Sequence, residues 1–107
     1  MSAAVMISCA CPDRECAERI AASLVDDGLA AAVHMREVAT RYRWRGEVVA
    51  GDEVALDIFT CATRSEAVAK RIGELHPYEL PPIHMVDLQV GTPDYLRWLT
   101  SAGAEPG

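Results

Sequence analysis

The N-terminal part of the chain pairs a strand-like run with a sharply delimited helix, and this order restricts the fold more than any other feature. Ala3–Cys9 is a continuous apolar segment, short enough for a strand buried on both faces. Asp13 is a typical N-cap residue and Gly28 a typical left-handed C-cap residue, so a helix is predicted over Arg14–Asp27. Five apolar residues of this helix share one stripe: Ala17, Ile20, Ala21, Leu24 and Val25.

The middle of the chain predicts a long, bent hairpin. Leu29–Met35 is typical of a strand, and from Arg41 to Gly46 charged and aromatic residues alternate strictly, as they do on a strand with two different faces. Gly46–Glu47 is the expected turn. Val48–Thr60 is strand-like again, with an expected interruption near Gly51–Asp52.

The last third repeats the helix-then-strand order. Thr63 and Glu66 have the spacing of a capping box, which predicts a second helix running to about Leu75. Ile83–Val90 is expected to form the last strand. Thr92 and Pro93 then have the residue types of an N-cap and a first helical position, which predicts a short final helix.

This order of elements indicates an α+β fold: a ferredoxin-like βαββαβ sandwich with a long bent hairpin and an extra C-terminal helix. The chain of 107 residues fits one domain, placed at residues 1–100, with 101–107 as a flexible tail. Both helices are expected on one sheet face, leaving the other open. Because the segment from Val54 to Phe59 carries apolar groups on both sides, we expect self-association to cover that face.

Charge and composition narrow the set of partners. Ten basic and sixteen acidic residues give a net charge of −6, which argues against nucleic acid and anionic membranes as partners. Charged residues interrupt the apolar runs before they reach membrane-spanning length, and the N-terminus lacks the features of a secretory signal. A cytoplasmic location with four reduced cysteines is the expectation.

Two cysteines and one histidine form the most specific set of potential metal ligands. Cys9 and Cys11 lie two residues apart on a strand and should face the same side. Thiolates suit Cu(I) and zinc, and imidazole suits Cu(II) and zinc, so these thiols with His76 would form a soft-metal site if the fold brings them together. The alternatives are that Cys9 is a small buried hydrophobe and that His76 only ends a helix.

Aromatic and acidic residues near the HPYELP segment, residues 76–81, are candidates for a ligand cleft. This segment places two prolines, an imidazole, a phenol and a carboxylate on one short connection. The alternative is that the aromatic residues serve only in packing. In an assembly, five residues could line a cleft between subunits: Tyr42, Trp44, Tyr78, Glu79 and Trp98.

Several motifs together resemble the CutA divalent-cation tolerance family: HPYELP, the opening Cys9–Asp13, the Leu29–Ala31 stretch, Tyr42–Gly46 and the final Pro93–Trp98. The resemblance implies a ferredoxin-like subunit in a compact homotrimer, linked to copper tolerance and able to bind divalent metal. It also implies Cys9 and His76 as ligands. Three positions depart from the family pattern: Ala32, Phe59 and Leu75, the last where a further histidine ligand is expected.

We therefore expect a small protein that binds copper or another divalent metal, or senses a ligand at intersubunit clefts, without turning over a substrate. One alternative is an enzyme with Cys16 or Cys9 as nucleophile and His76 or Glu79 as proton carrier, since a thiol in the first turn of a helix has a lowered pKa. The other is an architectural trimer that supports a protein partner.

Overall fold

Strands and helices alternate along the chain. The structure is a computed structural model and describes residues 3–101 and 103. Apart from residues 101 and 103, the predicted flexible tail lies outside the described residues. The elements are β1 (Ala4–Cys11), α1 (Arg14–Asp26), β2 (Ala32–Trp44), β3 (Glu47–Cys61), a 3₁₀ turn (Ala62–Arg64), α2 (Ser65–Leu75), β4 (His84–Asp87) and α3 (Pro93–Thr100).

The four strands form one antiparallel sheet in the order β2-β3-β1-β4. This is the strand order of a ferredoxin-like fold, so the predicted α+β class is confirmed. The two central strands, β3 and β1, run side by side from Ala4 opposite Cys61 to Cys11 opposite Val54. The C-terminal end of β1, where the cysteines lie, is paired with β3 on one side and extends beyond β4, which pairs only with Val5 to Ser8.

Helix α1 forms for the local reasons that the sequence indicates. The Asp13 side chain accepts a hydrogen bond from the backbone N–H of Cys16 at 2.9 Å, as an N-cap residue does. At the other end Gly28 has a φ of +70°, the left-handed conformation that glycine adopts without strain. The predicted buried stripe is confirmed except for Val25, which lies at the edge of the stripe and is 41% exposed.

The hairpin of β2 and β3 is longer and more regular than predicted. Its register is continuous from Ala32 opposite Phe59 to Trp44 opposite Glu47, so the expected interruption at Gly51–Asp52 is wrong. Pairing with β2 across this point supplies the backbone hydrogen bonds that keep the strand extended. The two-residue turn is Arg45–Gly46, one residue earlier than predicted; both residues have positive φ, as a tight hairpin requires. The chain measures 50 × 25 × 22 Å.

The start of α2 differs from the predicted capping box. Thr63 lies in the 3₁₀ turn, and α2 begins only at Ser65. The Thr63 hydroxyl contacts the Cys61 sulfur at 3.1 Å, while Ser65 donates to the carbonyl of Ala62 at 2.8 Å. Thr63 therefore binds the end of the preceding strand and does not cap the helix.

The last strand is also shorter than the predicted Ile83–Val90. β4 pairs with β1 only from His84 opposite Ser8 to Asp87 opposite Val5. One further hydrogen bond joins the Leu88 N–H to the carbonyl of Ala4, where β1 begins. Within residues 3–101, β1 begins at Ala4 and offers β4 no further pairing beyond that residue, and Val90 is 93% exposed.

The helices occupy both faces of the sheet. Helices α1 and α2 pack on the face that carries Ile7, Leu56 and Ile58, and this is the main core. Helix α3 packs on part of the opposite face through a smaller cluster around Leu99, so that face is less open than predicted. Within residues 3–101 and 103, no helix is long and apolar enough to span a bilayer.

Candidate functional site

Two thiols and one imidazole meet at the C-terminal end of β1. The sulfur atoms of Cys9 and Cys11 and a ring nitrogen of His76 all lie within 4.8 Å of one another. The two thiols share a face because side chains two residues apart on a strand point the same way. All three residues are buried, and the structure brings together all three of the predicted metal ligands.

His76 reaches the thiols because the segment after α2 turns back onto β1. The residue is extended, at φ −82° and ψ 135°, which is the conformation favoured before a proline. Its Nε2 lies 2.6 Å from the carbonyl oxygen of Ala10, and its Nδ1 accepts the backbone N–H of Tyr78 at 3.1 Å. Since Nδ1 is an acceptor, the ring is the neutral tautomer with the proton on Nε2, which donates to Ala10.

The thiols influence one another's ionisation. The hydrogen bond from Cys11 lowers the pKa of Cys9, although burial opposes the change. The same hydrogen bond, followed by burial, raises the pKa of Cys11 strongly. Of the pair, Cys9 is therefore the first to ionise and the first to offer a thiolate to a metal ion.

Cys16 is the neighbour that the ligand prediction did not include. It lies in the first turn of α1 and is 3% exposed. Burial raises the pKa of Cys16 to about 11, with a further contribution from Cys11. The expectation that the helix dipole lowers this pKa is wrong, because loss of solvent outweighs the dipole. The sequence does carry a signal for its position, because Cys16 follows closely after a strand end that carries two cysteines.

Four of the five predicted cleft residues line one cavity of about 670 Å³ beside the HPYELP segment: Tyr42, Trp44, Tyr78 and Glu79. The cavity lies between this segment and the outer part of the hairpin. Trp98 is not among its lining residues; it packs in the cluster around Leu99, with its ring 6.0 Å from that of Tyr95. Trp98 was predicted to join the other four residues only because it is aromatic.

Two pairs of polar side chains contact one another at this cleft. The Tyr78 hydroxyl donates to Glu53 at 2.6 Å, and burial together with this carboxylate raises the pKa of Tyr78. Arg45 forms an ion pair with Glu79, and its guanidinium lies 5.4 Å from the centre of the Trp44 ring. The cleft is thus aromatic, and two acidic groups that line it, Glu53 and Glu79, are paired within the chain.

The fourth cysteine lies apart from the other three. Cys61 pairs with Ala4, at the opposite end of β1 from Cys11. Burial would raise its pKa, but the hydrogen bond from Thr63 and the guanidinium of Arg64, 2.8 Å from the sulfur, lower it overall. Cys61 is therefore a buried thiol outside the cluster, and a matched control for it.

Comparison with known proteins identifies relatives across almost the whole chain. The sequence profile of the family described as CutA1 divalent ion tolerance protein matches residues 5–102. The divalent-cation tolerance protein CutA of Pyrococcus horikoshii is 36% identical over 88 residues, covering 82% of this chain and 86% of the relative. The CutA protein of Thermus thermophilus is 38% identical over 89 residues, covering 82% of this chain and 86% of the relative.

Solved structures agree with these sequence relationships. The crystal structure of CutA from Xylella fastidiosa matches with a TM-score of 0.91 and 36% identity, covering 96% of this chain and 100% of that one. A structure from Archaeoglobus fulgidus, described as a periplasmic divalent cation tolerance protein CutA, matches with a TM-score of 0.90 and 27% identity, covering 94% and 99% of the two chains. Fold and sequence lead to the same conclusion: this chain belongs to the CutA1 divalent ion tolerance family.

Proposed function

We propose that this protein binds a thiophilic metal ion, with copper as the leading ion, at the cluster of Cys9, Cys11 and His76. Binding there would serve divalent-cation tolerance without turnover of a substrate. The observation that carries the proposal is the meeting of two thiols and an imidazole, all buried, within 4.8 Å. Soft thiolate ligands favour Cu(I) and zinc, and imidazole adds affinity for zinc and Cu(II).

Coordination by His76 requires an exchange of partners. Both ring nitrogens are hydrogen-bonded, Nε2 to the carbonyl of Ala10 and Nδ1 to the N–H of Tyr78. A neutral imidazole coordinates through the nitrogen that carries no proton, so a metal ion bound at Nδ1 would displace the N–H of Tyr78 and leave the bond from Nε2 to Ala10 intact. That remaining bond would then orient the ring, as outer partners of metal-bound histidines commonly do.

Titration with copper and zinc tests the proposal. Reduced protein is titrated anaerobically against a chromophoric chelator with Cu(I) and separately with Zn²⁺, and the same is done with Cys9→Ser and His76→Gln. We expect Cys9→Ser to lose affinity by more than the about 10- to 100-fold typical of outer-shell changes. Cys61→Ser is the matched control and should bind as the unmodified protein does. If Cys9→Ser and His76→Gln both bind the ions as tightly as the unmodified protein does, the proposal is contradicted.

We also propose that the protein assembles as a homotrimer. Large apolar side chains remain exposed on the hairpin and on β4, among them Trp44, Val48 and Val86. Strands β2 and β4 are the two edges of the sheet, and an edge strand offers unpaired backbone groups to another chain. Sedimentation velocity at micromolar concentration should give three times the chain mass of 11.6 kDa; a single sedimenting monomer would contradict this assembly.

A cytoplasmic location is proposed with the same function. All four cysteines are free, and free thiols persist in the reducing conditions of the cytoplasm. Cell fractionation with an antibody against the native protein tests this location. Recovery with an extracytoplasmic marker would overturn it.

Ligand sensing at the aromatic cleft is a second candidate function. The supporting observation is the cavity of about 670 Å³ between Tyr42, Trp44 and Tyr78, a size and composition common in small-molecule sites. Thermal-shift measurements with a panel of small aromatic and cationic compounds test it. A stabilising compound should lose its effect in Trp44→Ala and keep it in Trp98→Ala, because Trp98 lies outside this cleft.

A cysteine-dependent enzyme and an architectural scaffold are the remaining alternatives. A nucleophilic cysteine needs an accessible thiolate, and Cys16 is buried with a raised pKa. Glu79, one of the expected proton carriers, faces the cleft and pairs with Arg45. Rapid stoichiometric labelling of Cys16 or Cys9 by iodoacetamide at neutral pH would favour the enzyme. Absence of both metal binding and rapid labelling would favour a scaffold for a protein partner.

A further inference from the structure

The rim of the aromatic cleft already holds a cation that belongs to the chain itself. The guanidinium of Arg45 lies 5.4 Å from the centre of the Trp44 ring and forms an ion pair with Glu79. Both Trp44 and Glu79 line the cavity of about 670 Å³. A ring face and a carboxylate are the groups with which proteins recognise organic cations, so this rim has the chemistry of a cation site.

The charges of the cleft also favour a positively charged ligand. The lining residues include two carboxylates, Glu53 and Glu79, and one guanidinium, that of Arg41, so their formal charge is negative. Two further aromatic rings, those of Tyr42 and Tyr78, line the same cavity. The net charge of −6 on the whole chain acts in the same direction, because it attracts cations towards the protein.

The internal cation is held loosely enough to be displaced. The side chains of Arg45 and Glu79 are each 67% exposed, and exposed ion pairs contribute little to stability. The carboxylate of Glu53 can accept several hydrogen bonds, and the Tyr78 hydroxyl supplies one of them. An entering cation therefore meets one carboxylate with spare acceptor capacity and a second whose present partner is easily lost.

We propose that the aromatic cleft binds an organic cation, a guanidinium or amidinium group on an aromatic or apolar body, in place of the Arg45 side chain. This inference rests on the proposed ligand-sensing function of the cleft and names its ligand class. The cationic group takes the place of the Arg45 guanidinium beside Trp44 and Glu79, and the apolar body lies against Tyr42 and Tyr78. Arg45 is then a competitor for the site that is built into the chain.

Three compounds of similar shape and different charge test the ligand class: the benzamidine cation, neutral benzamide and the benzoate anion. Binding to the metal-free, reduced protein is measured by isothermal titration calorimetry. Benzamidine should bind more tightly than benzamide by more than about tenfold, and benzoate should bind most weakly. Added salt should weaken the binding of benzamidine but not that of benzamide.

Variants of the rim test the role of Arg45. Arg45→Asn removes the internal cation and keeps a residue type that tolerates the positive φ of this position. It should tighten benzamidine binding by about 2- to 30-fold, the worth of a cation–π contact expressed as an affinity ratio. In the Arg45→Asn background, Trp44→Ala and Glu79→Gln should each weaken binding, because no internal cation then shares the loss. Trp98→Ala, outside the cleft, should leave it unchanged.

The outcomes separate this inference from the function on which it rests. If benzamide or benzoate binds as tightly as benzamidine and the binding depends on Trp44, the cationic class is refuted and ligand sensing stands. If Arg45→Asn weakens benzamidine binding, the competitor role is refuted. If none of the three compounds binds and Trp44→Ala changes the sedimenting mass, a second copy of the chain covers the cleft, and both the inference and ligand sensing fail.

Discussion

The buried thiol cluster and the aromatic cleft lie on opposite sides of one short segment, and they handle polar groups in opposite ways. His76 faces the thiols, and Tyr78 faces the cleft, with ring centres 4.6 Å apart. In the cleft, Arg45 pairs with Glu79 and the Tyr78 hydroxyl donates to Glu53. In the cluster, two thiols and an imidazole lie buried within 4.8 Å of one another, the arrangement on which the proposed metal site rests. The difference teaches that the side of the segment on which a polar group lies decides its partners: carboxylates and a guanidinium on the cleft side, thiols and backbone groups on the cluster side.

The largest effect should come from removing the imidazole that separates the two regions. His76→Ala leaves the carbonyl of Ala10 and the N–H of Tyr78 without their partner in a buried place. Each unsatisfied buried group costs about 1 to 3 kcal/mol, so the free energy of unfolding should fall by about 2 to 6 kcal/mol. Urea denaturation measures it. The exposed His84→Ala is the control, and equal stability of the two variants would contradict the assigned hydrogen bonds.

The thiol side should also make stability depend on alkaline pH. Above the ordinary pKa of 9.0, an unfolded chain ionises Cys16, whereas the folded protein keeps the proton until about pH 11. Unfolding is therefore favoured as pH rises through this interval, by roughly 2 to 3 kcal/mol from this residue. Metal-free protein and Cys16→Ser are compared by denaturation at pH 8 and pH 11. Identical losses of stability in both would contradict the raised pKa.

On the cleft side, Tyr78→Phe should have a smaller effect. The change removes the hydroxyl that donates to Glu53 but keeps the ring. A net hydrogen bond to a charged group is worth about 1.5 to 3 kcal/mol, and we expect a loss in that range. Tyr95→Phe is the matched control, since Tyr95 lies on α3, outside this cleft. A loss above that range would mean that removing a polar group from the cleft destabilises the fold as much as removing one from the buried cluster.

The smallest effect is expected for the ion pair at the mouth of the cleft. Arg45 and Glu79 are both largely exposed, so Glu79→Gln should change the free energy of unfolding by less than about 1 kcal/mol. The difference should shrink further in high salt, because exposed charges are screened. Denaturation at low and high salt measures both quantities. A large, salt-independent loss would show that this pair is not a surface interaction.

Elements set by local signals could be predicted from the sequence, whereas elements set by distant partners could not. Helix α1 was predicted almost to the residue, because Asp13 and Gly28 act within their own turns. The length of β4 depends on where β1 begins, at Ala4, and this is not visible in the residues of β4 itself. Likewise, pairing with β2 holds Gly51 in a strand that its own propensity opposes.

The candidate site follows the same rule. That Cys9 and Cys11 face one side follows from strand geometry and was predicted. That His76 closes on them depends on a contact with Ala10, 66 residues away in sequence, and only the fold brings it about. The sequence indicates Cys16 only as a candidate nucleophile. The side-chain alternation of a strand predicts which residues of that strand share a face, but not where a residue of the following helix lies.

The length of the hairpin has a consequence for how one copy of the chain would move in solution. A body of 50 × 25 × 22 Å is a prolate rotor, which spins quickly about its long axis and reorients slowly end over end. In a free subunit, nitrogen-15 relaxation rates would therefore vary with the angle between each amide bond and that axis. Packing three such rods into a rounder particle would remove the variation and slow every amide together.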